Sequence, residues 1–151
     1  MHKTIITYGT FDMFHIGHLK LLKKLKNMGD ELIVAVSTEK FNLVKKKKIL
    51  IPFEQRIEIV KNIKCVDRVI PEEAWGQKIK DIKKYGVDVF AIGNDWKGEF
   101  NFLSNYCEVV YLDRTEDIST TELKKSLIEF LSTSKEDFLS IFEVKKTKYD
   151  K

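Results

Sequence analysis

Short β-branched runs alternate with longer stretches of helical period along the chain, the pattern of an α/β fold whose parallel strands are joined by helices. The runs predict strands at residues 4 to 8, 31 to 37, 66 to 70, 87 to 92 and 107 to 112. Between the first two, Ile16, Leu19, Leu22, Leu25 and Met28 recur every three residues. Lys20, Lys23, Lys24 and Lys26 lie off that stripe, and Gly29 stands where a C′ glycine would end the helix. A second helix is expected from Pro52, a residue favoured in a first helical turn, with Phe53, Ile57, Val60 and Ile63 on one side. A third spans about 76 to 85, carrying Ile79, Ile82 and Tyr85 before Gly86. A short helix is expected through Phe102 and Leu103 after Gly98, and a longer one from about Thr120 to Leu131. Residues 134 to 142 allow another short helix through Phe138, Ile141 and Phe142, and 143 to 151 are polar enough to fray.

Composition narrows the class. With 151 residues, 43% hydrophobic and 33% charged, the chain is long enough for one domain with a core, and 7 Gly and 2 Pro argue against extended disorder. The apolar runs, such as Leu32-Ile33-Val34-Ala35-Val36, fall far short of the ~20 residues that cross a bilayer. Without a signal-peptide pattern at the start, a cytoplasmic location is the expectation. Cys65 and Cys107 sit in apolar company and are expected as buried free thiols. The formal charge of +4 equals the contribution of one run, Lys45 to Lys48. So concentrated an excess suits a small anionic ligand better than nucleic acid, which calls for basic residues spread over a face.

In an open parallel sheet, ligands sit beyond the carboxyl ends of the strands where strand order reverses, so the loops after strands one, four and five are the places to look for chemistry. After strand one comes Gly9-Thr10-Phe11-Asp12-Met13-Phe14-His15-Ile16-Gly17-His18. Its glycines are too far apart for a dinucleotide fingerprint. The two histidines, three apart, share a face at a helix start, where orphan N–H groups and the positive dipole end favour phosphate and imidazole N–H groups add donors. The alternative is two ordinary polar residues at a helix start.

Gly9-Thr10-Phe11-Asp12 with His15-Ile16-Gly17-His18 resembles the HxGH signature of the nucleotidyltransferase superfamily. Arg114-Thr115-Glu116-Asp117-Ile118-Ser119-Thr120-Thr121 resembles the RTEGISTT block of its cytidylyltransferase branch. Between them, Ser37 to Asn42, Val66 to Pro71, Asp88-Val89-Phe90 and Gly93-Asn94-Asp95-Trp96 are similar to the bacterial glycerol-3-phosphate cytidylyltransferases, and the likeness covers residues 3 to 131. It implies a Rossmann-like open sheet of five parallel strands with helices on both faces. The domain would occupy residues 1 to 131, with a C-terminal extension over 132 to 151. It also implies CMP transfer from CTP to glycerol 3-phosphate, giving CDP-glycerol and pyrophosphate for a teichoic-acid-type surface polymer, and a homodimer with Val66-Asp67-Arg68 in its interface.

The resemblance assigns nucleotide contacts to Thr10, Phe11, His15, His18, Lys47, Asp95, Arg114, Thr115, Ile118, Ser119, Thr120 and Thr121. It places Lys45, Arg56, Trp75 and Lys78 on the acceptor side. His15, His18, Lys47 and Arg114 are the expected catalytic residues, stabilising charge on the departing pyrophosphate. Mg²⁺ is expected on the triphosphate, with no protein cage for it. Each assignment has a plainer counterpart. Ser119-x-x-Glu122 is also a capping box, the lysine run a solvated cluster rather than a mobile loop swinging over phosphates, and Asp95 a turn residue. The charge state of the histidines is open, because helix N-termini favour neutral imidazole and a triphosphate favours imidazolium. Three departures stand out: Asp117 where the block has glycine, Lys64 where relatives have arginine, and the extension itself. The rival functions are transfer to another phospho-alcohol or phospho-sugar, an adenylyl-transferring relative, and a non-catalytic phosphate- or nucleic-acid-binding module.

Overall fold

A computed structural model describes residues 1 to 114 and 119 to 132. The chain forms two compact units, residues 1 to 117 and 118 to 151. The first unit holds strands β1 (Thr4–Gly9), β2 (Glu31–Ser37), β3 (Arg68–Glu72), β4 (Val89–Gly93) and β5 (Glu108–Leu112). All are parallel, in the order β3-β2-β1-β4-β5. The helices of this unit are α1 (Ile16–Lys26), α2 (Glu39–Val44), α3 (Phe53–Lys61) and α4 (Gln77–Tyr85), with 3₁₀ turns at Asn94–Trp96 and Asn101–Asn105. In the second unit, α5 runs Thr120–Ser132. The short helix expected over 134 to 142 lies outside the described residues.

Period-two alternation sends successive strand residues to opposite faces. Ile5, Leu32, Val34, Val36, Val89 and Ala91 pack with Leu22 and Leu25 of α1 and Val60 of α3. Their neighbours Ile6, Tyr8, Ile33, Ala35, Phe90 and Ile92 pack with Ile82 of α4, Phe100 and Leu103. Helices thus cover both faces, and the central strands β2, β1 and β4 are buried almost throughout, while the edge strands β3 and β5 are partly exposed. Strand order reverses between β1 and β4, which opens a crevice at their carboxyl ends.

Gly86 ends α4 with φ 61°, a left-handed cap that glycine adopts without a Cβ penalty. Gly29 does something other than end a helix. α1 is capped at Asn27, and Gly29 is not in the left-handed region. A Cβ there would lie 2.7 Å from the Lys3 carbonyl oxygen and 2.8 Å from Ile5 Cγ1, so the residue lets the chain pass close against β1. Ile16, expected on the buried stripe, is the first residue of α1 and is exposed. Cys65 and Cys107 are free and half-buried rather than fully enclosed, and burial raises both thiols above the usual range. Among the described residues no helix is long and apolar enough to cross a membrane.

Candidate active site

The carboxyl ends of β1, β3 and β4 border a cleft lined by Tyr8, Gly9, Thr10, Lys45, Lys47, Glu72, Trp75, Lys78, Ile92, Trp96 and Phe100. Of the residues expected from the sequence, the fold brings Thr10, Lys45, Lys47, Trp75 and Lys78 into this lining.

The loop after β1 is tightly built. Phe11 and Met13 have φ of 53° and 52°, a region that costs a non-glycine residue about 1–3 kcal/mol and persists only where surroundings enforce it. A Cβ at Gly9 would lie 2.8 Å from the Phe11 ring, which folds back into the core. What Phe11 can offer a ligand is therefore main chain. The Asp12 carboxylate, buried, accepts the N–H groups of Leu50 and Ile51, both at 2.9 Å, and so ties this loop to the segment after the lysine run.

His15 is the N-cap of α1, where its Nδ1 accepts the Gly17 N–H at 3.0 Å, while His18 Nδ1 accepts the His15 N–H at 3.2 Å. The pair forms a capping box built from imidazoles, the rings stacked with centroids 3.9 Å apart. With Nδ1 accepting, each neutral ring carries its proton on Nε2. Burial lowers both pKa values, that of His18 to about 4, with His15 lowering it further and Asp12 opposing. Near neutral pH both histidines are thus uncharged Nε2–H donors.

The lysine run does not follow strand two directly: it forms the turn that ends α2 and the irregular segment after it. α2 leads into it, and Lys45, Lys46 and Lys47 close a Schellman motif. The Lys47 N–H donates to the Asn42 carbonyl at 2.9 Å and the Lys46 N–H to that of Leu43 at 3.0 Å. Lys46 occupies the left-handed position, at φ 55°. The side chains of Lys45 and Lys47 reach the cleft, Lys45 Nζ 3.4 Å from Glu72 Oε1 and Lys47 Nζ 6.0 Å from the centre of the Trp96 ring. Burial lowers the Lys45 ammonium to about 8, against the opposing pull of Glu72.

Lys78 is buried, its Nζ 2.8 Å from Glu72 Oε2 and 4.5 to 5.3 Å from the ring centres of Tyr8, Trp75 and Phe100. Arg56 lies beneath the cleft and not on its lining. Its guanidinium, fully buried, donates to the carbonyls of Thr10, Ser37 and Ile51 at 2.7 to 2.8 Å and stands 3.7 Å from the Glu39 carboxylate. The acceptor-side contact expected of it corresponds here to fastening three segments that frame the site, because every bonded N–H is directed at main chain.

Asp95 lies in the 3₁₀ turn after β4, not at the end of the strand, and Arg114 follows β5. The guanidinium grips the carboxylate with two nitrogens, NH2 at 2.7 Å and Nε at 3.0 Å. Both side chains are more than half exposed, so the pair contributes little to stability. Thr115 and Ile118 lie outside the described residues. Ser119 caps α5, with its Oγ accepting the Glu122 N–H at 3.1 Å and the Glu122 carboxylate accepting the Ser119 N–H at 3.3 Å, and Thr120 and Thr121 stand in its first turn. Tyr8, Glu72 and Phe100 were not singled out from the sequence as site residues, whereas Trp96 was part of the Gly93-Asn94-Asp95-Trp96 segment. The strand-end rule points to Glu72, the last residue of β3, when it is applied to every strand.

A family model described as cytidylyltransferase-like matches residues 6–126, a span that holds every residue lining the cleft. The chain belongs to the cytidylyltransferase-like family. The glycerol-3-phosphate cytidylyltransferase of Bacillus spizizenii is 57% identical over 125 residues, covering 83% of this chain and 97% of that protein. That of Staphylococcus aureus is 54% identical over 125 residues, covering 83% and 95%. The crystal structure of the lipopolysaccharide core biosynthesis protein from Thermoplasma volcanium shares the fold with a TM-score of 0.69 and 25% identity, covering 77% of this chain and 100% of that one. For a cytidylyltransferase-like chain, a cleft lined by the ammonium groups of Lys45, Lys47 and Lys78 is the expected chemistry. Among the described residues no three His, Cys, Asp or Glu side chains come together as metal ligands. Ammonium and imidazole N–H donors suit oxyanions and fit no protein-held Mg²⁺, which asks for oxygen ligands.

Proposed function

We propose that this chain transfers CMP from CTP to glycerol 3-phosphate, forming CDP-glycerol and releasing pyrophosphate. The observation that carries the reading is the likeness to two glycerol-3-phosphate cytidylyltransferases over nearly their whole length, joined to a cleft lined by three lysines. A phosphate monoester is mostly dianionic at neutral pH, so its oxygen attacks the α-phosphorus of CTP without a strong base. The new oxygen–phosphorus bond forms as the bond to the bridging oxygen of the β-phosphate breaks, and pyrophosphate leaves with that electron pair.

The protein's task is to hold two repelling anions in line and to stabilise the leaving charge. His15 and His18 direct Nε2–H donors at the triphosphate, with Lys47 and Arg114 as its cations. The main chain of Phe11 and the Thr10 hydroxyl serve the nucleotide, and the resemblance supports the same role for Thr115, Ile118, Ser119, Thr120 and Thr121. Asp95 recognises the cytidine part once Arg114 turns to phosphate. Lys45, Lys78 and Trp75 receive the acceptor, and Arg56 keeps their frame in place. Mg²⁺ bound with CTP would supply positive charge against the triphosphate, and no side chain of the cleft is assigned to hold it. The enzyme acts in the cytoplasm as a homodimer that includes the Val66-Asp67-Arg68 segment.

A screen of pyrophosphate release with the four nucleoside triphosphates against a panel of phosphorylated alcohols tests this reading. The expected result is fastest turnover with CTP and glycerol 3-phosphate. Faster turnover with ATP, or with a different acceptor and none with glycerol 3-phosphate, would overturn it.

A further inference from the structure

Glu72 is the one carboxylate among the described residues that line the cleft. It ends β3, its side chain is 3% exposed, and its two oxygens hold ammonium groups from two different elements. Oε2 takes Lys78 of α4 at 2.8 Å, and Oε1 takes Lys45, the C-cap of α2, at 3.4 Å. Main chain fixes it as well, since the Glu72 carbonyl accepts the Thr38 N–H at 3.0 Å and so locks the end of β3 to the start of α2.

Two ammonium groups this deeply enclosed and this near each other disfavour one another's charge. A carboxylate between them offsets that repulsion and draws both to one point. We infer that Glu72 is the resident counter-anion of the acceptor subsite, a positioning residue that holds the Lys45 and Lys78 ammonium groups convergent until a dianionic phosphate draws them off it. The inference rests on the proposal that the acceptor's phosphate meets these two lysines. An incoming group must compete with a fixed carboxylate for the same N–H donors. A phosphate monoester, with two charges, offers each ammonium more than it loses. A singly charged ester does not, so the subsite selects dianions.

The groups facing this carboxylate and its lysines are Tyr8 from β1, Lys47 beyond α2, and Asp81 from α4. Asp81 is occupied by the Tyr8 hydroxyl at 2.8 Å and by Gln77 at 2.9 Å. Lys47 and Lys78 both push the Lys45 ammonium down, and Glu72 is the group that holds it up. Removing the Glu72 charge therefore moves the loss of the Lys45 proton to lower pH.

Initial rates across a pH series for the wild type, Glu72→Gln and Glu72→Asp test the assignment. In Glu72→Gln, KM for glycerol 3-phosphate should rise by about 10-fold or more and the alkaline limb of kcat/KM for the acceptor should move down by about 1 pH unit. KM for CTP should hold. Glu72→Asp, which keeps the charge, should restore most of the limb. A folded Glu72→Gln enzyme with wild-type KM and wild-type pH limb would overturn the role of Glu72. A wild type that neither binds nor uses glycerol 3-phosphate would instead overturn the functional proposal beneath it. A wild-type competition arm decides the matter if the variant fails to fold. Glycerol 3-phosphate should bind at least about 10-fold more tightly than its singly charged methyl diester, and equal binding would contradict dianion selection.

Discussion

His15 and His18 each accept a main-chain N–H at Nδ1, which leaves Nε2–H as the polar group each ring presents. Spacing alone made them neighbours on a helix start, but their charge state depends on burial, which spacing does not encode. The pKa of His18, lowered to about 4, lies below the 6.5 of an exposed imidazole. Between those values the unfolded chain binds a proton that the folded chain excludes. Stability therefore falls as pH drops from 6.5 towards 4, by up to about 1.4 kcal/mol per pH unit for one proton. His18→Gln removes that titration, so urea unfolding followed across this window should show a shallower pH slope in the variant. An unchanged slope would mean that His18 is protonated in the fold.

At the scale of elements, the five strands were legible as short β-branched runs and the helices α1, α3, α4 and α5 by their helical spacing, with boundaries marked by Pro52 or Gly86. α2 was not. Six residues are too few to show a helical period, and the lysines after it read as a solvated loop, yet they form its capping motif. Lys46 supplies the left-handed residue of that motif where glycine is the usual choice, at a cost in backbone strain. Lys46→Gly should relieve that strain and raise the unfolding free energy by about 0.5–1 kcal/mol, while leaving Lys45 and Lys47 in the cleft and turnover near wild type. Destabilisation in a denaturant titration would show that the Lys46 side chain makes a contribution larger than the strain.

For the whole molecule, the position of the site follows from topology. β1 sits at the centre of the order β3-β2-β1-β4-β5, and the crevice beside it collects residues that are 70 positions apart in sequence, Tyr8 and Lys78 among them. The sequence pointed to the loops after strands one, four and five and to the cations, since motifs are local and lysines are conspicuous. It did not disclose Glu72, which acquires meaning only when α2 and α4 bring lysines to either side of it. Nor did it show that Arg56 would be consumed by main-chain carbonyls, because that depends on three segments meeting beneath the cleft. The account comes down to one bond change at the α-phosphorus of CTP. Phosphorus-31 NMR of the full chain incubated with CTP, Mg²⁺ and glycerol 3-phosphate observes it directly. Pyrophosphate and a diphosphate diester appearing in equal amounts is the predicted result; unchanged CTP, or orthophosphate released with no diester formed, would contradict it.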